Sequence, residues 1–336
     1  MRADRFQKKE ARWWSSLLWP VAGLSLLLVF NLLFTPGFFH VELRDGNLYG
    51  VLIDILNHGS QVMLLSLGMA LVIATGGVDL AVGAVMAITG AIAAQLINRP
   101  GVPFPVVILA SLAVALLAGC WNGLLVSGFR VQPIIATLIL MVAGRGVAQL
   151  ITDGQIITFT DERLTFVGNG HFLGLPFPIV LALAMLGVTG LMTRKTALGL
   201  FIESVGDNAT ASAYSGVNAR TIKFLVYVFS GLCAGIAGLV SSSNIKCADA
   251  NHAGLFLELD AILAVVVGGT ALTGGRFYLG GAVVGALFIQ TLTTTMYMRN
   301  VSADIAPVPK ALAVIAVCLV QSPVFRRKMV SLVKKP

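Results

Sequence analysis

The stretch from Val72 to Ala84, VIATGGVDLAVGA, interrupts apolar sequence with two adjacent glycines, Gly76 and Gly77, and one carboxylic acid, Asp79. An acid at membrane depth is costly, and irregular backbone survives there only inside protein or beside a water-filled cavity. Two roles fit Asp79. It can stand beside the route of a polar solute, or it can cap the helix running on through Leu80 and Ala81 by accepting from free backbone N–H groups. The two are compatible, because a capped half-helix is one way a membrane protein builds a polar site. A second charge, Arg145, sits in LMVAGRGVAQ with a glycine on each side. A buried arginine needs a carboxylate or backbone carbonyls, and Asp79 is one candidate partner. Thr75, Asn122, Gln132, Thr270 and Gln290 are the uncharged polar groups associated with apolar runs. Such groups suit a neutral polyhydroxy solute better than an ion, or they bond one helix to another.

Other chemistries lack their residues. No G-x-x-x-x-G-K-[ST] occurs, so the chain has no usual phosphate-cradling loop. No Ser/His/Asp set, HExxH or paired carboxylates stand out, so catalysis is not expected. The four cysteines form no CxxC and the four histidines are scattered, so neither a metal site, a cofactor nor a disulfide framework is expected.

These residues must be positioned by membrane helices. Of the 336 residues 57% are hydrophobic and 11% charged, whereas a soluble domain carries about a quarter charged. The apolar runs are continuous and about twenty residues long, which fits helices and not a transmembrane barrel. The expected fold is an all-α polytopic membrane protein. Windows of about nineteen residues give spans at 15–35, 51–74, 80–97, 104–126, 133–151, 176–193, 221–243, 258–272, 277–298 and 308–323. Several are short or glycine-interrupted, so eight to ten transmembrane helices are expected, some broken or re-entrant. The net charge of +8 comes from basic clusters at Arg2 to Arg12, Arg194 to Lys223 and Arg326 to Lys335. With both termini cytoplasmic, most of the Lys and Arg fall inside, the asymmetry that orients membrane proteins; nucleic acid is not an expected partner. Pro20 interrupts the first apolar run and no A-x-A-like site follows, which favours a retained span over a signal peptide. The chain thus divides into a cytoplasmic tail (1–14), one transmembrane domain (15–323) set in lipid, and a basic cytoplasmic tail (324–336).

The longest cytoplasmic loop, about 194–220, has no stretch able to span. Within it Ala209, Ala211, Ala213 and Tyr214 predict a short helix, started by Asn208 and stopped by Gly216. A short helix outside the bilayer, held between two spans, is placed to receive a push from a soluble motor. The outer loops Phe38–Gly50 and Ile151–Leu175 are acidic and 244–257 is polar, which suits either an external partner or plain connection. Gly119/Gly123, Gly231/Gly235 and Gly281/Gly285 predict close helix packing. The run 71–87 is echoed at 265–286: apolar, paired glycines, a polar break, then a Gly/Ala-rich span.

TGGVDLAVGA (75–84), GCWNGLLV (119–126), VQPIIATLILMVAGRG (131–146), SGVNAR (215–220) and LELDAILAVVVGGTALTGGR (257–276) resemble, in order and spacing, the permeases of bacterial ABC importers for monosaccharides. The match runs from about Asn47 to Gln321. More narrowly, DGNLYGVLIDIL (45–56), ILMVAGRGVAQLIT (139–152) and ADANHAGLFLELDAILAVV (248–266) resemble the permeases of galactofuranose importers. The resemblance implies an inner-membrane importer. Its expected partners are ABC ATPase subunits that hydrolyse the ATP, a periplasmic sugar-binding protein, and a second permease, either a similar chain or a second copy. It implies translocation-path roles for Thr75, Gly76, Gly77 and Asp79, to which the residue reading adds Asn122 and Arg145. It implies that Glu203 to Gly216, with Gly206, Asn208, Ala209 and Ala213, sits in a cleft of the ATPase. Two departures stand there: Gly199 is followed by Leu200 where many members have Arg, and their A-x-G-x-N run reads SVGDN.

Overall fold

The computed structural model describes residues 2–44, 46–302 and 305–321. The basic tail over 324–336 and the acid Asp45 lie outside the described residues, as do the side-chain charges of the N-terminal tail. The chain begins with α1 (Arg2–Phe34), which carries Pro20 inside it, then the hairpin β1 (Val41–Arg44) and β2 (Asn47–Gly50). There follow α2 (Val51–Ala74), α3 (Val82–Ile97), α4 (Phe104–Gly123) prolonged by a π-helical turn over Leu124–Gly128, and α5 (Pro133–Ile151). A non-spanning segment holds β3 (Ile157–Thr158), α6 (Glu162–Asn169), β4 (His171–Phe172) and β5 (Leu175–Pro176). Asp161 caps α6, and the Arg163 side chain bonded to it holds its carboxyl below the usual range. Next come α7 (Phe177–Lys195), α8 (Leu198–Asp207), α9 (Ala209–Tyr214) and α10 (Ala219–Ile245). The chain closes with β6 (Cys247–Ala248), paired to β3, then α11 (Leu257–Val267), α12 (Leu279–Met298) and α13 (Pro307–Gln321).

Each predicted apolar run contains a helix, so the chain is a helical polytopic membrane protein. Their lengths differ from the expectation. Among the described residues six helices are long and apolar enough to cross a membrane: α2, α4 with its π turn, α5, α7, α10 and α12. A crossing takes about 20 residues, yet α3 has 16 and α11 has 11. Each falls short because a non-helical segment occupies part of its path.

Helix α2 is buried on every side from Val62 to Ala74, so it stands at the centre. Around it, lipid supplies no hydrophobic drive between helices, and close backbone approach supplies the packing instead. The predicted glycine pairs do this. On α10, a Cβ at Gly231 would stand 2.6 Å from the Ala115 carbonyl oxygen of α4, and Gly238, which is outside the predicted pairs, approaches α3 as closely, its Cβ 2.6 Å from the Met86 carbonyl oxygen. Gly281 and Gly285 leave no room for a Cβ against the Gly268 and Ala264 carbonyls, which brings α12 onto α11.

Candidate functional site

Three interruptions of helix meet inside the bundle. The first follows Ala74. Thr75 turns its hydroxyl back to the Val72 carbonyl at 2.8 Å, and Gly76 takes a left-handed φ of 78° that a side chain would strain. Gly77 lies under Tyr227, whose hydroxyl would stand 2.5 Å from a Cβ there. Val78 presents its carbonyl to the hydroxyls of Tyr227 and Thr137, each at 3.4 Å. Asp79 is 2% exposed. Its Oδ1 accepts from the Ala81 N–H at 3.1 Å and from Asn122 Nδ2 at 3.3 Å, and its Oδ2 accepts from Ser230 Oγ at 2.8 Å. The carboxyl therefore touches the start of α3 and bridges α4 and α10 together.

Depth follows from register. Ser230 lies near the middle of α10, and Gly68 of α2 packs against it. Beyond Asp79, α3 runs alongside α10 in the same direction, Met86 facing Gly238 and Gly90 facing Ser242. The chain thus leaves α2 at Ala74, turns back to the level of Gly68, and only there begins α3.

The second interruption, Gly268 to Tyr278, lies against the first. Gly275 donates its N–H to the Ala74 carbonyl at 2.9 Å, and a Cβ on Gly274 would stand 2.9 Å from the Gly76 nitrogen. The two echoed sequences are two helix–break–helix units touching break to break. Beneath both lies α8. A Cβ on Gly206 would overlap the Ala74 carbonyl oxygen and stand 2.6 Å from the Gly275 nitrogen. On its far side α9 begins at Asn208, whose Oδ1 accepts from Ala211 N at 2.9 Å, and ends before Gly216 at φ 85°. Leu200, Ala213 and Tyr214 face outward, Tyr214 being 90% exposed.

The third interruption enters from the other end. After β6 the chain runs inward until Gly254 meets Gly83 at the start of α3, and α11 begins at Leu257. Arg145 fastens this loop to α5: its Nη1 donates to the carbonyls of Ala250 at 3.0 Å and Ala253 at 2.6 Å. The carboxylates of Glu258 and Asp249 balance its charge. Of the partners considered from sequence, the backbone carbonyls hold Arg145. Asp79 does not: it belongs to the node with Asn122. Arg145→Ala would strand two carbonyls and the buried Glu258 carboxylate. A cost of about 1–3 kcal/mol is expected, seen as a lower melting temperature in detergent and faster hydrogen exchange across 248–256.

Ser230, Tyr227, Glu258 and Asp260 escaped sequence reasoning. Glu258 is 3% exposed beside Gly83, whose Cβ would stand 2.6 Å from Glu258 Oε2. Asp260 pairs with Lys310 of α13, with Nζ–Oδ2 at 2.8 Å and both side chains 14% exposed. Asp79 is therefore one of several deep acids. The signal was present in LELD, where two acids open an apolar helix and suit its N-terminal dipole.

A multi-pass helical protein with broken, mutually packed helices and a short helix seated on the breaks is the architecture of a transport permease. Comparison with known proteins agrees: the chain belongs to the family described as branched-chain amino acid transport system / permease component, matched over residues 51–320. It is 52% identical over 327 residues to the galactofuranose transporter permease protein YtfT of Escherichia coli K12, covering 97% of this chain and 94% of that one. It is 41% identical to the fructose import permease protein FruF of Bifidobacterium longum (92% and 88% covered). It is 34% identical to the ribose import permease protein RbsC of Haemophilus influenzae (91% and 93% covered). No solved structure matches.

Proposed function

We propose that this chain is a permease subunit of an ATP-driven importer carrying a monosaccharide, galactofuranose or a related pentose or hexose, across the bacterial inner membrane by alternating access. The observation that carries the proposal is the seat of α8 on both helix breaks, since a push on that helix reaches α2–α3 and α11–α12 at one point. The family membership and the sugar permeases among its relatives support the same reading. In it Glu203, Gly206, Asn208, Ala209, Ala213 and Gly216 form the segment on which an ABC ATPase acts. Thr75, Gly76, Gly77, Asp79 and Asn122 form the hinge behind the pathway, and Arg145 fixes a loop at its outer side. Both termini lie in the cytoplasm. A periplasmic binding protein selects the sugar, and a second permease, similar or identical, completes the pair. Energy enters as the different affinity of nucleotide for the two conformations.

A tagged chain solubilised in mild detergent is expected to bring down an ATPase subunit at about one per permease, the pairing an ABC importer requires. In cells, uptake should survive collapse of the proton gradient and stop on ATP depletion. A permease that purifies alone, with gradient-dependent uptake, would assign the chain to ion-coupled transport.

A further inference from the structure

The loop held by Arg145 carries polar groups that the hinge does not use. Gln149, two residues before the end of α5, donates from Nε2 to Asn251 Oδ1 at 2.7 Å, and both side chains are exposed. Whichever way two such amides are turned, their bond uses one amino group and one carbonyl. One carbonyl and one amino group remain, a donor and an acceptor side by side. Two neighbouring hydroxyls complement that pair, since each can donate and accept. His252 is exposed beside them, with Nδ1 2.8 Å from Asp249 Oδ2. Asp249 is itself fixed by the N–H groups of Asn251 at 2.9 Å and His252 at 3.2 Å. Asp249 Oδ2 on Nδ1 leaves Nε2 for a hydroxyl, which can serve as donor or acceptor.

Gln149 stands at the outer end of a groove of about 500 Å³ on the free face of α5, lined also by Ala143, Gly146, Val147, Leu150 and Asp153, and its bond to Asn251 brings that residue and His252 to the rim. A Cβ on Gly146 would meet no heavy atom within 4 Å. Ala143 lies near the middle of α5, so the groove runs from the polar rim to mid-helix. A groove of this size has room for a small ligand.

We propose that this groove is a contact site for the sugar in transit, with Gln149, Asn251 and His252 bonding its hydroxyls. The proposal rests on the importer reading. It adds that the permease itself distinguishes hydroxyl patterns at its outer mouth, in addition to whatever a binding protein selects.

The test uses the complete importer in proteoliposomes. Uptake of radiolabelled galactose, whose solution forms include the furanose ring, is compared with that of its singly deoxygenated analogues. The preference for the parent sugar over one analogue should fall about 3- to 10-fold in Gln149→Leu and Asn251→Leu, the factor of a single exposed hydrogen bond. General damage to the fold would lower both rates together and leave the ratio alone. In a chain whose native cysteines are replaced by alanine, Ala143→Cys should react with a membrane-impermeant methanethiosulfonate, which needs a thiolate in water. Lack of reaction would place the groove against lipid and overturn the proposal. Intact wild-type uptake with an unchanged ratio would overturn it too, leaving the importer reading in place. A wild-type complex that takes up neither galactose, ribose nor fructose would overturn both.

Discussion

Gly206→Val is expected to cut ATP-coupled sugar uptake several-fold or more while the ATPase subunit still copurifies and still hydrolyses ATP. At this position even one added carbon would overlap the Ala74 carbonyl oxygen and crowd the Gly275 nitrogen at 2.6 Å. Both neighbours are backbone, so no side chain can swing aside and α8 must lift away. The same two atoms form the 2.9 Å bond that ties one helix break to the other. Displacing α8 therefore loosens the seat and the tie together. Overpacking of this kind costs about 1–3 kcal/mol, and a coupling free energy of that size corresponds to about 5- to 150-fold. Uptake should fall by at least about fivefold. The close contacts of α10 with α3 and α4 and of α12 with α11 do not involve α8, so the variant should elute from a sizing column with the wild type. Wild-type uptake by Gly206→Val would show that force from the ATPase reaches the helices elsewhere.

Why the sequence disclosed α9 and not α8 follows from where the determining contacts lie. Asn208 capping α9 and Gly216 ending it act within one turn of chain, and both were readable as start and stop signals. Helix α8 is marked more weakly: Ala197 before it makes no side-chain cap, Thr196 accepts from the Leu198 N–H at 3.2 Å, and its apolar face, Ile202 and Val205, fills only on packing. The helix breaks were legible because left-handed backbone at Gly76, Gly274 and Gly275 needs glycine at the spot. That the two breaks touch is a tertiary fact with no local trace. Arg145 shows the same limit. Its need for acceptors was plain, but the acceptors are carbonyls more than a hundred residues away, and a carbonyl has no signature in sequence. Glu258 and Asp260 were visible as acids at a helix start. Only the packed structure shows that one faces Gly83 and the other Lys310. The β1–β2 hairpin and the two-residue strands were lost in loops too short for periodicity to register.

The Asp79 node gives the second large effect, and a pair of substitutions separates its two possible uses. Asp79→Leu would leave the Ser230 hydroxyl, the Asn122 amino group and the Ala81 N–H without their shared acceptor. A buried unsatisfied group costs about 1–3 kcal/mol, and Asn122 already has an unpartnered Oδ1. The start of α3 should lose its position between α4 and α10. Uptake is expected to fall at least about fivefold, by the same coupling arithmetic, with a lower melting temperature in detergent and membrane insertion intact. Asp79→Asn behaves differently. Its carbonyl can still accept from Ala81 and Asn122, and its amino group would meet Ser230 Oγ, a hydroxyl that accepts as readily as it donates. A hinge needs only that geometry, so Asp79→Asn should retain most of the uptake. A carrier driven by protons needs a group that gains and loses one, which the amide cannot do. In that case Asp79→Asn would be as inactive as Asp79→Leu while melting like the wild type. Uptake and melting temperature measured on the two variants together thus decide whether Asp79 holds helices or carries protons.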